Sequence, residues 1–167
     1  GNGNHWILLG AHYDSRIKAD RDADTTKQMS PVPGANDGAS GVALLLELAR
    51  VVPRYDNSNL KISLVFFDGE DNGNIDQWEW LMGSTAYVEA LKAFPEKVVI
   101  VDMIGDEDLQ IYREVNSDQA LTDQIWKTAE KLGYSSIFIN KYKYNMLDDH
   151  IPFVRAGIAA IDIIDFD

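Results

Sequence analysis

Cysteine is absent from the 167 residues, which excludes a disulfide framework and any thiolate metal site. Basic residues are scarce: 15 Lys and Arg stand against 27 Asp and Glu, a formal net charge of -12. So acidic a chain suits no phosphate backbone, and no nucleic-acid partner is expected. No apolar run is long enough to span a bilayer, so no membrane partner is expected either. Neither a signal peptide nor a low-complexity segment nor an internal repeat is visible. These absences leave the compartment open between cytoplasm and secretion. Histidine is also sparse, at three residues, so each imidazole deserves scrutiny. What the chain does have is a hydrophobic fraction of 46%, enough for one core, and residues 1–167 read as a single domain.

Strand and helix signals alternate. Trp6 to Ala11 is a short apolar run ending in His12-Tyr13-Asp14-Ser15. Residues 16–33 are polar and read as a surface loop. Its Asp20-Arg21-Asp22-Ala23-Asp24 imitates the opening of a calcium loop, but Thr25 stands where a turn glycine is required and Pro31 where the closing Glu belongs. Pro33-Gly34-Ala35-Asn36-Asp37-Gly38-Ala39-Ser40-Gly41 leads into a helix over Ala39–Val52 that is apolar almost all round and is expected to be buried. Asp56 to Asn59 is a turn, and Leu60 to Phe67 has the pattern of a central strand. Trp78 and Trp80 lie in a loop, and Ser84 is expected to cap a helix over Thr85–Ala93 with Val88 and Leu91 inward. Lys97 to Ile104 is a buried strand interrupted by Asp102, and Leu109 to Tyr112 a short strand closely following it. Ser117 is expected to cap a helix that buries Leu121, Ile125 and Ala129 and stops at Gly133. A strand over Ser136–Ile139, a loop over Lys141–Asp148, a short helix over Asp149–Ala156 and a strand over Ile158–Ile164 complete the chain. The alternation predicts an α/β fold of three layers, a mostly parallel, mixed sheet with helices on both faces. The tight connection into Leu109 to Tyr112 suggests an antiparallel part.

Three predicted strands end in polar clusters on one side: His12 and Asp14, Glu70 and Asp71, then Asp102 with Asp106 beyond it. Asp37 lies at the helix mouth between the first two. In open α/β sheets this edge is where ligands bind. Carboxylates crowded together repel and raise one another's pKa, and a divalent cation reverses that. Imidazole with carboxylates and no sulfur suits zinc first, manganese or cobalt next.

These segments resemble a known group, the zinc-dependent aminopeptidases and related glutaminyl cyclases of the metallopeptidase family 28 type. The likeness rests on His12-Tyr13-Asp14-Ser15, Gly34 to Gly41, Phe66-Phe67-Asp68-Gly69-Glu70-Asp71, Gly83-Ser84, Asp102-Met103-Ile104-Gly105 and Asp148-Asp149-His150-Ile151-Pro152-Phe153. It covers nearly the whole chain. It implies that His12 and Asp102 bind a first Zn2+, that Asp37 bridges to a second, and that Asp71 binds the second. Glu70 is implied as general base and acid, and Asp14 as the residue that orients His12. It places Asp149 and His150, with Trp78 or Trp80, near the substrate pocket. One feature departs from the family: the histidine that completes the second zinc site follows the last strand in relatives, and this chain stops at Asp167, before that point. The expectation is a core cut short at both ends that holds one or two zinc ions.

Three functional readings follow. The first is a zinc-dependent aminopeptidase-like hydrolase acting on peptide N-termini. The second is a glutaminyl cyclase that forms N-terminal pyroglutamate. The third is a non-catalytic metal-binding or relic domain, which the missing imidazole favours. An uncovered final strand is expected to expose apolar surface after Ile158 and to favour a homo-oligomer.

Overall fold

The computed structural model describes residues 3–54 and 59–167; most of the turn expected at Asp56–Asn59 lies outside them. Four strands form the main sheet: β1 (His5–His12), β2 (Leu60–Phe67), β3 (Lys97–Asp102) and β6 (Ala160–Ile164). Their order is β2-β1-β3-β6, and every pair is parallel. β1 therefore sits inside, with β2 on one side and β3 on the other. The chain leaves β1 in one direction to form β2 and returns past it to form β3. That reversal opens a crevice between the carboxyl ends of β1 and β3, the place where open α/β sheets bind ligands.

Helices cover both faces. α1 (Ala39–Val51) lies on one, where Gly41 faces Ala11 so closely that a Cβ on the glycine would stand 2.3 Å from the Val101 carbonyl oxygen. α2 (Met82–Ala90) and α4 (His150–Arg155) lie on the other. There Leu8, Phe67, Val98, Ile100, Phe153, Ile158 and Ala160 form a buried cluster, with Tyr87, Val88, Leu91 and Val154 packed against it. Phe67, Tyr87 and Phe153 meet edge-on or tilted, with ring centroids 5.7 to 6.2 Å apart, within the favourable range for aromatic pairs. A second, two-stranded sheet pairs β4 (Ile111–Glu114) with β5 (Phe138–Tyr144), and α3 (Gln119–Lys131) packs against β5 and β6.

Several local expectations are corrected. β4 is not an antiparallel member of the main sheet; it pairs in parallel with β5. β5 runs through Tyr144, so half of the expected 141–148 loop is strand. β2 is an edge strand, half-buried along most of its length. α1 buries only Gly41 and Leu45 and leaves Leu46 59% exposed, because a single sheet face lies beneath it. β3 ends at Asp102 rather than running through it. Ser84 lies inside α2, its hydroxyl donating to the Leu81 carbonyl at 3.3 Å, so it caps nothing. The cap of α3 is Asp118, which accepts from the Leu121 N–H at 2.8 Å, in place of Ser117. Trp126, not Ile125, fills the inner face of α3, since its indole N–H reaches the Ile139 carbonyl at 3.0 Å. The last strand is not uncovered: Ile158, Ala160, Ile161 and Ile164 are all buried, with α4, α3 and β4 packed against β6.

Candidate metal centre

His12 is the last residue of β1 and Asp102 the last of β3, so the crevice between those strands is lined at its base by an imidazole and a carboxylate. His12 Nε2 is 3.1 Å from Asp102 Oδ1 and 3.0 Å from Asp37 Oδ1, which arrives from the turn ahead of α1. One donor atom from each of the three lies within 4.8 Å of the other two. His12 and Asp102 are buried, while the Asp37 side chain keeps 38% of its surface open to the crevice.

The backbone around these groups is tightly held. Gly38 has φ 72°, and a Cβ there would stand 2.7 Å from the Asp14 carbonyl and 3.0 Å from the His12 ring, so only glycine lets the Asp37 turn close over the imidazole. Asn36 Oδ1 accepts from Gly105 N–H at 2.7 Å, and Ser40 Oγ accepts from Ile104 N–H at 3.0 Å. These two bonds lace the Asp37 turn to the segment beyond β3. Met103 adopts a left-handed φ of 49°, and its N–H donates to Asp102 Oδ1 at 2.8 Å, fixing that carboxylate. Asp14 lies 3.5 Å from His12 Nδ1, and its oxygens accept from the N–H groups of Glu70 at 3.1 Å and Asp71 at 3.2 Å and from Asn72 Nδ2 at 3.0 Å. One carboxylate thus ties the histidine to the loop that carries the next two acids.

The electrostatics call for a cation. Burial opposes a charge on His12, but Asp102, Asp14 and Asp37 outweigh it and pull the imidazole firmly towards its protonated form. Burial, tempered by His12, raises Asp102 to about 6. Burial and the charge of Asp37 raise Asp71 to about 6. Burial and the charge of Asp148 push Glu70 up to about 10. A proton on His12 is the only positive charge these three residues supply from within, and a divalent ion would take its place with the imidazole neutral and both carboxylates ionised, as ligands require. The donor set of one nitrogen and carboxylate oxygens, without sulfur, fits zinc.

A cleft of about 380 Å³ opens over the cradle, lined by the carboxylates of Asp37, Glu70, Asp71, Asp102 and Asp148, by Arg21, and by Trp80, Met103, Met146, Leu147, Ile164 and Phe166. The structure therefore brings Glu70 and Asp71 beside the His12–Asp37–Asp102 group. It does not bring Trp78, which is absent from the lining and 46% exposed. Asp149 and His150 are completely buried behind the cleft, with Asp148 presented in their stead. Asp106 is exposed and accepts only from Asp108 N–H, at 2.8 Å. Among the described residues no second imidazole stands at Asp71: His5 pairs with Glu96 at the surface and His150 with Glu114 in the interior.

Glu114 is the residue that reading the chain did not single out. It is buried, and its carboxylate accepts from Asn116 N–H at 2.8 Å, Ser117 Oγ at 2.9 Å, Met146 N–H at 3.0 Å and His150 Nε2 at 3.1 Å. Burial alone would raise its pKa, but the bonds from His150, Asn116 and Met146 hold it down at about 2. Asn116 Nδ2 donates to the Met146 carbonyl at 3.1 Å, so the cleft-lining Met146 is held from both sides. In the sequence Glu114 is one charged residue in a short strand, with nothing to mark it as buried.

The chain and its fold are similar to those of known proteins. The chain is 32% identical over 169 residues to the aminopeptidase YwaD of Bacillus subtilis (strain 168), covering 95% of this chain and 31% of that protein. The structure superposes on that of a leucine aminopeptidase precursor from Bacteroides thetaiotaomicron with a TM-score of 0.90 at 35% identity, and on glutaminyl cyclase from the same organism with a TM-score of 0.91 at 35% identity. Each comparison takes in nearly all of this chain and 61% of the other. The model of peptidase family M28 matches residues 1–167. A match over all of these residues shows that the chain belongs to peptidase family M28.

Proposed function

We propose that the chain forms the core of a zinc-dependent aminopeptidase-like hydrolase that removes N-terminal residues from peptides. The observation that carries this reading is the cradle of His12, Asp37 and Asp102 at the sheet's switch point, with the buried Glu70 beside it in the same cleft. His12, Asp37 and Asp102 would hold one zinc ion. Asp37 and Asp71 offer a second place with carboxylates alone, so one firmly held ion is expected. Zinc bound there lowers the pKa of a water and polarises a carbonyl.

Glu70 is the proton carrier. Its high pKa falls when positive charge enters the cleft, which frees its carboxylate to take a proton from the attacking water and return it to the leaving amine. Asp37, Asp71 and Asp148 attract the substrate's ammonium group. Trp80 and the apolar residues across the cleft exclude water from the reacting bond.

The second reading is a glutaminyl cyclase, supported by the likeness to solved cyclases and by an aromatic ring, Trp80, lining the same cleft as Glu70. Glu70 would then move a proton from the α-amine to departing ammonia. Turnover of leucine anilide by the zinc-loaded protein, against cyclisation of a peptide with N-terminal Gln, decides between them. Anilide turnover that Glu70→Gln abolishes supports the first reading. Cyclisation alone supports the second. Neither activity, with zinc bound, removes both.

A further inference from the structure

Arg21 is the one cation among the described residues that line the cleft. Its loop neighbour Arg16 is fully engaged: Nε and Nη2 donate to Asp20 at 2.7 and 2.9 Å, and Nη1 to the Asp71 carbonyl. Arg21 makes no close ion pair among the described residues; Asp20, bonded to Arg16, feels its charge without pairing with it. Both guanidinium groups lie over the Trp80 ring, Arg16 at 5.1 Å and Arg21 at 5.5 Å from its centroid. Trp80 thus holds Arg21 against the wall of the cleft, and the stack limits the freedom of an otherwise exposed side chain. A stacked guanidinium keeps its planar N–H fork available, a shape that matches a carboxylate.

We propose that Arg21 binds a substrate carboxylate located beyond the reacting N-terminal residue, and so sets a preference for an acidic second residue or for the free C-terminus of a dipeptide. The inference rests on the reading above that a peptide N-terminus is drawn to the carboxylates of the cleft. The cleft then matches a dipolar ligand, ammonium towards Asp37, Asp71 and Asp148, carboxylate towards Arg21. A Lys or Arg at the second position meets a like charge and is rejected.

The test is calorimetric binding to the zinc-loaded protein of three dipeptide analogues with a reduced peptide bond: norleucine-Glu-amide, norleucine-Gln-amide and norleucine-Gln with a free C-terminus. Norleucine cannot cyclise and the reduced bond cannot be hydrolysed, so affinity is read without turnover. The Glu-amide or the free-acid analogue is expected to bind about 5-fold tighter than the Gln-amide, as a stacked, part-exposed ion pair allows. Which of the two gains affinity tells a side-chain carboxylate from a terminal one. In Arg21→Ala the ratio falls to about 1, and in Arg21→Glu it inverts, since the pair becomes a repulsion. Equal affinities in the wild type, a ratio unchanged in Arg21→Ala, or no binding of any analogue overturns the proposal. If both turnover assays fail while the Arg21-dependent ratio holds, the proposed activity falls and the carboxylate site stands.

Discussion

Glu114→Gln tests whether the cleft wall depends on a buried carboxylate. The substitution keeps shape and removes charge. Three of the four donors, Asn116 N–H, Ser117 Oγ and His150 Nε2, converge on Oε2, and a glutamine oxygen placed there still accepts from all three. Oε1 then becomes an NH2 group facing the Met146 N–H, where the carboxylate accepted at 3.0 Å. One hydrogen bond turns into a donor–donor contact, and the bond from His150 loses its charge assistance. Together these cost about 1.5–3 kcal/mol. Glu114→Ala leaves four donors without an acceptor and costs about 3–5 kcal/mol. Urea unfolding at pH 7, followed by tryptophan fluorescence, reads both values, and hydrogen exchange at Met146 should quicken in the Gln variant before the core does. The pH dependence has a definite sign. Glu114 is held at about 2, below its ordinary 4.5, so its contribution is complete above pH 4.5 and is lost as pH falls towards 2. The gap between wild type and Glu114→Gln must therefore close over that window. A Gln variant within 0.5 kcal/mol of wild type at pH 7 (roughly the scatter of a neutral surface change) would refute the reasoning.

Other outcomes follow from the site and its surroundings. Glu70→Gln should lower kcat by about 10²- to 10⁴-fold with zinc content unchanged, read by steady-state kinetics beside elemental analysis. Chelation should lower the melting temperature, and zinc at about 100 times its dissociation constant should restore about 5–10 °C, an effect that His12→Ala removes. Asp162 is buried with neither carboxylate oxygen bonded to a donor, and burial and the charge of Asp148 raise its pKa well above 3.8. Its ionisation penalises the fold only above pH 3.8, so Asp162→Asn should stabilise the metal-free protein by about 1–3 kcal/mol at pH 7 and not at pH 3.5. Gly41→Ala should cost about 1–3 kcal/mol in urea unfolding, because α1 would have to lift from β3.

The alternation of apolar runs and polar strand ends made the α/β architecture legible, since each run is long enough to be a strand and each ends in residues that cannot be buried unpaired. It made His12, Asp37, Glu70, Asp71 and Asp102 legible as a group for the same reason. What it could not convey is which strand neighbours which. Leu60 to Phe67 is apolar enough for a central strand, yet lies at an edge. Asp149 and His150 sit in a segment that does reach the cleft, but both are fully buried, and Asp148, nearly buried itself, is the acid of that segment that lines the cleft. Glu114 was invisible because its importance lies wholly in four partners, three of them within three residues of it or at the far end of a 32-residue separation that carries no local pattern. Helix caps failed at the scale of a single residue: Asp118 competes with Ser117 for the same role one position away.

The order of the central sheet also governs how the molecule is made. β1 joins its neighbours across long stretches of chain, His5 facing Leu60 and Ile7 facing Lys97. The His12–Asp102 contact spans 90 residues. Loops of that length must close before any pairing rewards them, which makes folding slow and leaves β1 waiting for residues that emerge much later. A growing polypeptide that ends before residue 102 has no second wall for the crevice and no cradle to fill. The cradle thus forms only once β1 and β3 lie side by side with the Asp37 turn closed over them.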